Sequence, residues 1–154
     1  MRKERILITG ATGFLGSYLV KGLLAAGKEV VILKRSFSDC RRIKDEINRV
    51  KAYDLDLLSD VAEVFREGRI DAVIHTATCY GRRGEKVGEI YEANFSFPLT
   101  LLETATFFNT DTFFNTDTAL PENLNWYALS KKQFAACGRE FAKLGKIRFV
   151  DLSI

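Results

Sequence analysis

The sequence is poor in the residues that build metal sites, disulfide frameworks and membrane anchors. It has three cysteines, Cys40, Cys79 and Cys137, and a single histidine, His75. The cysteines are too scattered for a C-x-x-C metal or redox pair, and a secreted framework shows an even, denser set. Free thiols in a reducing cytosol, with no metal site, are expected. No stretch approaches the ~20 apolar residues of a membrane span. Behind the basic start Met1-Arg2-Lys3-Glu4-Arg5, the apolar run Ile6 to Ile8 falls short of the ~7–15 residues of a signal peptide. A cytoplasmic protein with no membrane partner is expected. Charge of one sign is missing too. Lys and Arg total 23 against 20 acidic residues, a net charge of +3, and they are spread rather than gathered into the stripe that binds nucleic acid.

What is present is the composition of an ordinary globule. The chain has 154 residues, 47% of them hydrophobic and 28% charged, which suits one domain with its own core. Twelve Phe and five Tyr belong to that core rather than to base stacking. Short apolar runs alternate with helical patterns throughout. Strands are predicted at Ile6–Ile8, Val30–Leu33, near Val50–Tyr53, at Ala72–Ile74, in a Phe/Thr-rich region after residue 105, and at Ile147–Leu152. Helices are predicted at Phe14–Ala26 closed by Gly27, about Cys40–Asn48, about Leu58–Arg66, roughly Val87–Ala105, and Trp126–Leu144. Unbroken apolar strands alternating with helices imply a doubly wound α/β fold, a parallel sheet with helices on both faces.

One passage is duplicated. Phe107-Phe108-Asn109-Thr110-Asp111-Thr112 recurs letter for letter as Phe113-Phe114-Asn115-Thr116-Asp117-Thr118, far shorter than the ~20–50-residue unit of a solenoid. Only one copy can fill a given strand slot. The other serves as connector, and the long helix leaves no evident turn between Ala105 and the strand.

The strongest chemical signal is the first strand-to-helix turn, Thr9-Gly10-Ala11-Thr12-Gly13-Phe14-Leu15-Gly16. Glycines at 10, 13 and 16 permit a tight turn, close approach of backbone to a pyrophosphate, and close helix packing, while the helix start aims free N–H groups at phosphate. The turn follows a buried strand and opens an amphipathic helix, the context a dinucleotide site needs. The second signal is Tyr127-Ala128-Leu129-Ser130-Lys131, where Tyr and Lys four apart share a helix face. A phenol with an ordinary pKa of ~10 is a poor proton carrier at neutral pH unless a cation stabilises its phenolate. Lys131 is the candidate cation.

Together, Thr9-Gly10-x-x-Gly13-x-x-Gly16 and Tyr127-x-x-x-Lys131 resemble the extended short-chain dehydrogenase/reductase superfamily, the NAD(P)-dependent nucleotide-sugar epimerases, dehydratases and reductases. The resemblance implies a Rossmann-like domain over residues 1–154, without the smaller C-terminal region that holds most of the sugar nucleotide in that superfamily. It implies cofactor contacts from Gly10, Thr12, Gly13, Phe14, Leu15 and Gly16. Further contacts are implied from Asp54-Leu55, from Ala77 and Thr78 within His75-Thr76-Ala77-Thr78, from Asn94, which precedes Leu101-Leu102-Glu103, and from Tyr127 and Lys131. His75 is implied to be structural rather than a general base. A Ser or Thr at the end of the fifth strand completes such sites. Thr116 and Thr118 are the candidates, Thr116 the better match to a Thr-Asp pattern, with Thr110 and Thr112 of the first copy as fallback.

An acid at the end of the second strand would bind a ribose 2′-hydroxyl, and a base would accept a 2′-phosphate. The strand ends Leu33-Lys34-Arg35-Ser36, so NADP is expected, with NAD left open. Cys79-Tyr80-Gly81-Arg82, the Thr-Asp-Thr motif and the short Leu120-Pro121 link resemble CDP-3,6-dideoxyhexose synthases of the abequose and paratose type, which implies reduction of the C4 ketone of a CDP-4-keto sugar. Thr118 stands where the dehydratase branch has Glu, which speaks against dehydration. In that reading Tyr127 protonates the ketone oxygen, Lys131 lowers the phenol's pKa and holds the nicotinamide ribose, and Thr116 or Thr118 donates to the oxyanion. Two alternatives stay open: 4-epimerisation with the same residues, and a non-catalytic NADP-binding fragment. The resemblance also leaves a homodimer through the long helices open.

Overall fold

The computed structural model describes residues Met1–Ile154 as an alternation of strands and helices. In chain order these are β1 (Arg5–Thr9), α1 (Phe14–Ala25), β2 (Glu29–Lys34), β3 (Lys51–Asp54), α2 (Ala62–Arg66), β4 (Ala72–His75), α3 (Val87–Tyr91), α4 (Phe97–Phe107), β5 (Thr112–Asp117), α5 (Trp126–Lys143) and β6 (Arg148–Ser153). The strands form one parallel sheet in the order β3-β2-β1-β4-β5-β6. The chain winds outward from β1 to β3, then returns to build the other half from β4. That reversal opens a crevice between the C-terminal ends of β1 and β4, the place where doubly wound sheets bind ligands.

Alternation along each strand divides the core in two. Leu7, Val31, Leu33, Val73 and Phe113 face the helices α2, α4 and α5, joined by Leu101, Leu102 and Phe134. Ile6, Ile8, Val30, Ile32 and Ala72 face the opposite side, which α1 covers through Val20. The register places Ile8 between Ile32 and Ile74, so β-branched residues stack across the centre of the sheet.

Three predicted helices are altered. The segment 40–48 holds only two 3₁₀ turns, Arg41–Ile43 and Ile47–Arg49, which still bring Ile43, with Cys40 and Ile47 beside it, onto the core face covered by α1. The helix predicted from Leu58 starts at Ala62. Ahead of it the Glu63 carboxylate accepts the Ser59 N–H at 3.0 Å and Asp60 accepts that of Ala62 at 2.9 Å, holding residues 59–61 as a capping turn. The long helix is interrupted by a π turn over Glu92–Ser96 before α4 begins, with Pro98 in its first turn. Proline has no N–H to give, and its ring crowds the carbonyl four residues back, at Asn94, so the backbone widens there.

The turn that sequence periodicity did not supply comes from the first copy of the repeat. Helix α4 runs to Phe107, and Asn109 adopts a left-handed conformation with φ 57°. The Asn109 N–H then bonds the Thr106 carbonyl at 3.2 Å and the Thr110 N–H bonds that of Ala105 at 2.9 Å. This is a Schellman ending, with Asn in the place usually taken by Gly. The second copy forms β5.

Candidate active site

The glycine turn, the ends of β4 and β5 and the Tyr127–Lys131 turn of helix α5 lie at the C-terminal edge of the sheet. Gly10 turns the chain out of β1 with φ 69°, and a Cβ there would stand 2.6 Å from the Ala77 nitrogen and 2.5 Å from Thr76 Oγ1. Only glycine lets the β1 and β4 ends approach so closely. A Cβ on Gly16 would collide with the Gly10 carbonyl, so the helix also sits hard against the turn. Gly13 is the residue that opens α1, and no side chain caps that end. Its first N–H groups are therefore donors available to an anion, beside exposed Phe14 and Leu15 and half-buried Thr12.

Thr9 fastens this turn to β4. Its Oγ1 accepts the N–H groups of Thr76 at 3.2 Å and Ala77 at 3.3 Å, so its one proton goes to His75 Nδ1 at 2.7 Å. His75 Nε2 then carries the ring proton. It has no polar partner and lies among Phe97, Phe113 and Phe134. Burial, with the nearby Lys131 charge, drives the His75 pKa down to about 3. A neutral, enclosed imidazole is a structural group and not a base, in keeping with the reading above.

On the far side of the crevice α5 presents Tyr127 and Lys131. Asn125 caps the helix by accepting the Ala128 N–H at 2.8 Å. Lys131 is 3% exposed, and its ammonium makes no ion pair or hydrogen bond within the protein. Burial lowers its pKa to about 8, against the opposing pull of Asp117 and Asp151. Tyr127 is half-buried with its ring 4.9 Å from that of Tyr80, over whose face the Arg82 guanidinium lies at 5.0 Å. Burial raises the Tyr127 pKa, while the neighbouring Thr118 hydroxyl draws it down. Among neighbouring ionisable groups Tyr80, then Asp117, push it further up, and Arg82 draws it down. In the free chain the raised pKa keeps the proton on Tyr127 at neutral pH.

The two threonine candidates separate. Thr116 donates its hydroxyl proton to the His75 carbonyl at 2.9 Å inside the sheet, whereas Thr118 accepts the Leu120 N–H at 3.2 Å and keeps its own proton free beside Tyr127. Of the two, Thr118 is the one whose hydroxyl proton is not taken by a backbone carbonyl of the sheet. Thr110 and Thr112 lie at the opposite edge of the sheet, where Thr112 begins β5.

Other expected cofactor contacts are engaged within the protein. Asn94 Oδ1 accepts from the Cys79 N–H at 2.8 Å and Thr78 Oγ1 at 3.1 Å, and its Nδ2 donates to the Cys79 carbonyl at 2.8 Å and Ser130 Oγ at 3.1 Å. With all four positions used, this amide pins the loop after β4 to α5. Lys34 is ion-paired with Asp54 at the adjoining end of β3. Arg35 is the exposed cation left at the end of β2, its guanidinium 5.8 Å from the Phe37 ring. Leu55 is half-buried behind Asp54. The pairing of Asp117 with Lys132 and the tilted contact of the Tyr80 and Tyr127 rings escaped the sequence reading. Lys132 stands next to Lys131, but neither spacing nor residue type says which of the two meets a carboxylate.

A glycine turn at an uncapped helix, a buried unpartnered lysine and a phenol with a free hydroxyl beside it fit a nicotinamide dinucleotide. The NAD dependent epimerase/dehydratase family matches residues 6–152. The chain belongs to that family. Within it, a CDP-abequose synthase of Salmonella typhimurium is 29% identical over 164 aligned residues, which cover 99% of this chain and 52% of that protein. A UDP-glucose 4-epimerase of Neisseria meningitidis serogroup B is 34% identical over 110 residues, 65% of this chain and 32% of its own length. The fold is that of UDP-glucose 4-epimerase from Thermotoga maritima, with a TM-score of 0.82 at 19% identity, covering 97% of this chain and 54% of that one. UDP-glucuronic acid 4-epimerase from Bacillus cereus in complex with NAD also gives 0.82, at 24% identity, covering 97% and 55%. The chain thus spans about half the length of the Salmonella synthase and of both solved structures.

Proposed function

We propose that this chain is the cofactor-binding and proton-donating part of an oxidoreductase for nucleotide sugars, acting on the C4 ketone of a CDP-4-keto-dideoxyhexose. The observation that carries the reading is the grouping of Tyr127, Thr118 and Lys131 across the crevice from the glycine turn. The likeness to CDP-abequose synthase along nearly the whole chain supports the sugar class.

When bound, a nicotinamide supplies the hydride for the ketone carbon. Tyr127 gives its phenolic proton to the oxygen as it becomes an alkoxide, and Thr118 donates a hydrogen bond to the charge that develops there. A raised Tyr127 pKa keeps the phenol in the donor form at neutral pH. The Lys131 ammonium, lacking a protein partner, is the group to hold the nicotinamide ribose. It then also stabilises the phenolate that proton transfer leaves behind. The N–H groups at the start of α1 take the pyrophosphate, and Gly10 with Ala77 lets the backbone approach it. Arg35 is the one cation at the end of β2 available to a 2′-phosphate, since Lys34 is bound to Asp54. NADPH is accordingly the preferred cofactor in this reading.

A second reading, 4-epimerisation, uses the same three residues and is favoured by the UDP-glucose 4-epimerases among the relatives. Stopped-flow mixing of the NADPH-loaded chain with a CDP-4-keto sugar separates the two. Oxidation of one NADPH per site, lost in Tyr127→Phe with cofactor affinity retained, supports the reductase. Turnover of Tyr127→Phe at the parent rate, or tighter binding of NADH than of NADPH, overturns the corresponding assignment.

A further inference from the structure

Asp117 is a buried carboxylate at the end of β5 that the proton-transfer scheme does not use. It is 3% exposed, yet neither oxygen is free. Oδ1 accepts the Thr118 N–H at 2.7 Å, and Oδ2 accepts Lys132 Nζ at 2.8 Å. The same ammonium donates to the Thr118 carbonyl at 2.5 Å. Three bonds thus close a ring around Thr118, holding it by its N–H and its C=O to the second turn of α5. Tyr127 sits on the first turn of that helix, so the ring also sets how near the Thr118 hydroxyl stands to the phenol. Lys131, one residue earlier and about 100° round the helix, has no part in it.

Resting on the reading of Tyr127 as proton donor, we infer that Asp117 and Lys132 are positioning residues, a part-buried ion-paired clamp that fixes the Thr118 hydroxyl against the Tyr127 phenol while neither touches substrate. Occupied on both oxygens, Asp117 is not presented to a substrate as an acid. Its charge is felt all the same, because it disfavours the phenolate of Tyr127 and favours the ammonium of Lys131. Lys132 offsets that charge. The other groups facing the phenol are Tyr80 and Arg82 on the loop after β4, and Thr118 itself. A buried carboxylate held in an ion pair is a costly way merely to brace a fold, since well-packed apolar residues do so as well or better. Its use here is geometric and electrostatic.

The test titrates Tyr127 by NMR in the full chain labelled with ¹³C at tyrosine Cζ, its signal assigned by loss in Tyr127→Phe. Lys132→Met leaves Asp117 uncompensated and is expected to cut the ionised fraction of Tyr127 about tenfold at a given pH, the scale of one nearby charge. Asp117→Asn is expected to change it in the opposite direction, and Lys132→Arg to restore the parent curve. A brace for the fold would instead relax burial in both variants and move both the same way, toward the ordinary phenol. Shifts of the same sign, or unchanged curves, overturn the clamp. Should Asp117→Asn not fold, Lys132→Met and Lys132→Arg decide alone: a drop restored by Arg supports the clamp, and an unchanged curve defeats it. The titration needs neither cofactor nor sugar. A parent chain that shows opposite shifts but binds no NADPH defeats the proposed function and leaves the clamp standing, while NADPH binding without the shifts does the reverse.

Discussion

Phe107 to Thr112 and Phe113 to Thr118 carry the same six residues in the same order, and each residue has a different fate in the two places. Phe107 ends a helix with 79% of its surface exposed, while Phe113 lies at 0% in the centre of the sheet. Asn109 takes a left-handed turn; Asn115 is buried in β5 and donates to Asp151 at 2.8 Å. Asp111 meets Arg69 in solvent, and Asp117 meets Lys132 inside. Thr112 starts the strand, and Thr118 stands beside the phenol of Tyr127.

Local preference is identical for the two copies, so it cannot have chosen between them. Face alternation cannot either, because a slip of six residues is even and returns every side chain to its own face. Residue 106 is also Thr, so 106–111 repeats the whole β5 sequence. What decides is the helix upstream. Placing the first copy in the strand slot would pull Leu101, Leu102 and Ala105, all fully buried, out of the core and into a turn. Re-exposing the two leucines alone costs roughly 3–6 kcal/mol.

The largest asymmetry is expected at the phenylalanines. Phe113→Ala should cost about 3–5 kcal/mol in urea unfolding, and Phe107→Ala less than about 0.5 kcal/mol. Equal losses would mean that the copies exchange places in solution. Next come the acids: Asp117→Ala removes the buried acceptor of the Thr118 N–H and the partner of the part-exposed Lys132 ammonium and should cost about 1–3 kcal/mol, whereas Asp111→Ala removes an exposed pair and should cost about 0–1 kcal/mol. At the asparagines the rank order itself should invert. With φ positive, Asn109→Gly is expected to be more stable than Asn109→Ala by about 1 kcal/mol. In the strand, Asn115→Ala should instead surpass Asn115→Gly by about 0.5–1 kcal/mol. Melting temperatures of the four variants check this.

The smallest effect concerns acid. The first copy is moored through Asp71, whose carbonyl accepts the Asp111 N–H at 3.1 Å. Hydrogen bonds from the Arg2 guanidinium, then from the Arg5 N–H and Arg69, hold the Asp71 carboxyl well below the ordinary carboxylate range. The unfolded chain therefore takes up this proton first. Stability from Asp71 is complete above the unfolded value of about 4 and falls as pH drops toward the folded one. Amide exchange at Asp111 should accelerate over that interval relative to Asp117, and Asp71→Asn should flatten the dependence.

The alternation of strands and helices and the glycine turn were legible because they rest on short-range patterns. Ile6-Leu7-Ile8 reads as a buried strand by itself, and Gly10, Gly13 and Gly16 mark a turn whose purpose follows from spacing. Tyr127 and Lys131 share a face by helix geometry alone. The basic segment 40–48 misled because Cys40, Ile43 and Ile47 have helical spacing, yet two 3₁₀ turns bring the same side chains to the core. The pairing of Lys34 with Asp54 was hidden by its separation of 20 residues. Nothing in Lys34-Arg35 announces that one cation is bound and the other exposed.

By itself, the sequence determined the α/β alternation, the dinucleotide turn and the helix face bearing a phenol and an amine, since periodicity and backbone freedom are properties of neighbouring residues. Tertiary structure alone decided which copy of the repeat became a strand, which threonine stands at the phenol, and which of two adjacent lysines is left without a partner. Those outcomes depend on burial and charge pairing between segments far apart in the chain, where identical residues meet different surroundings.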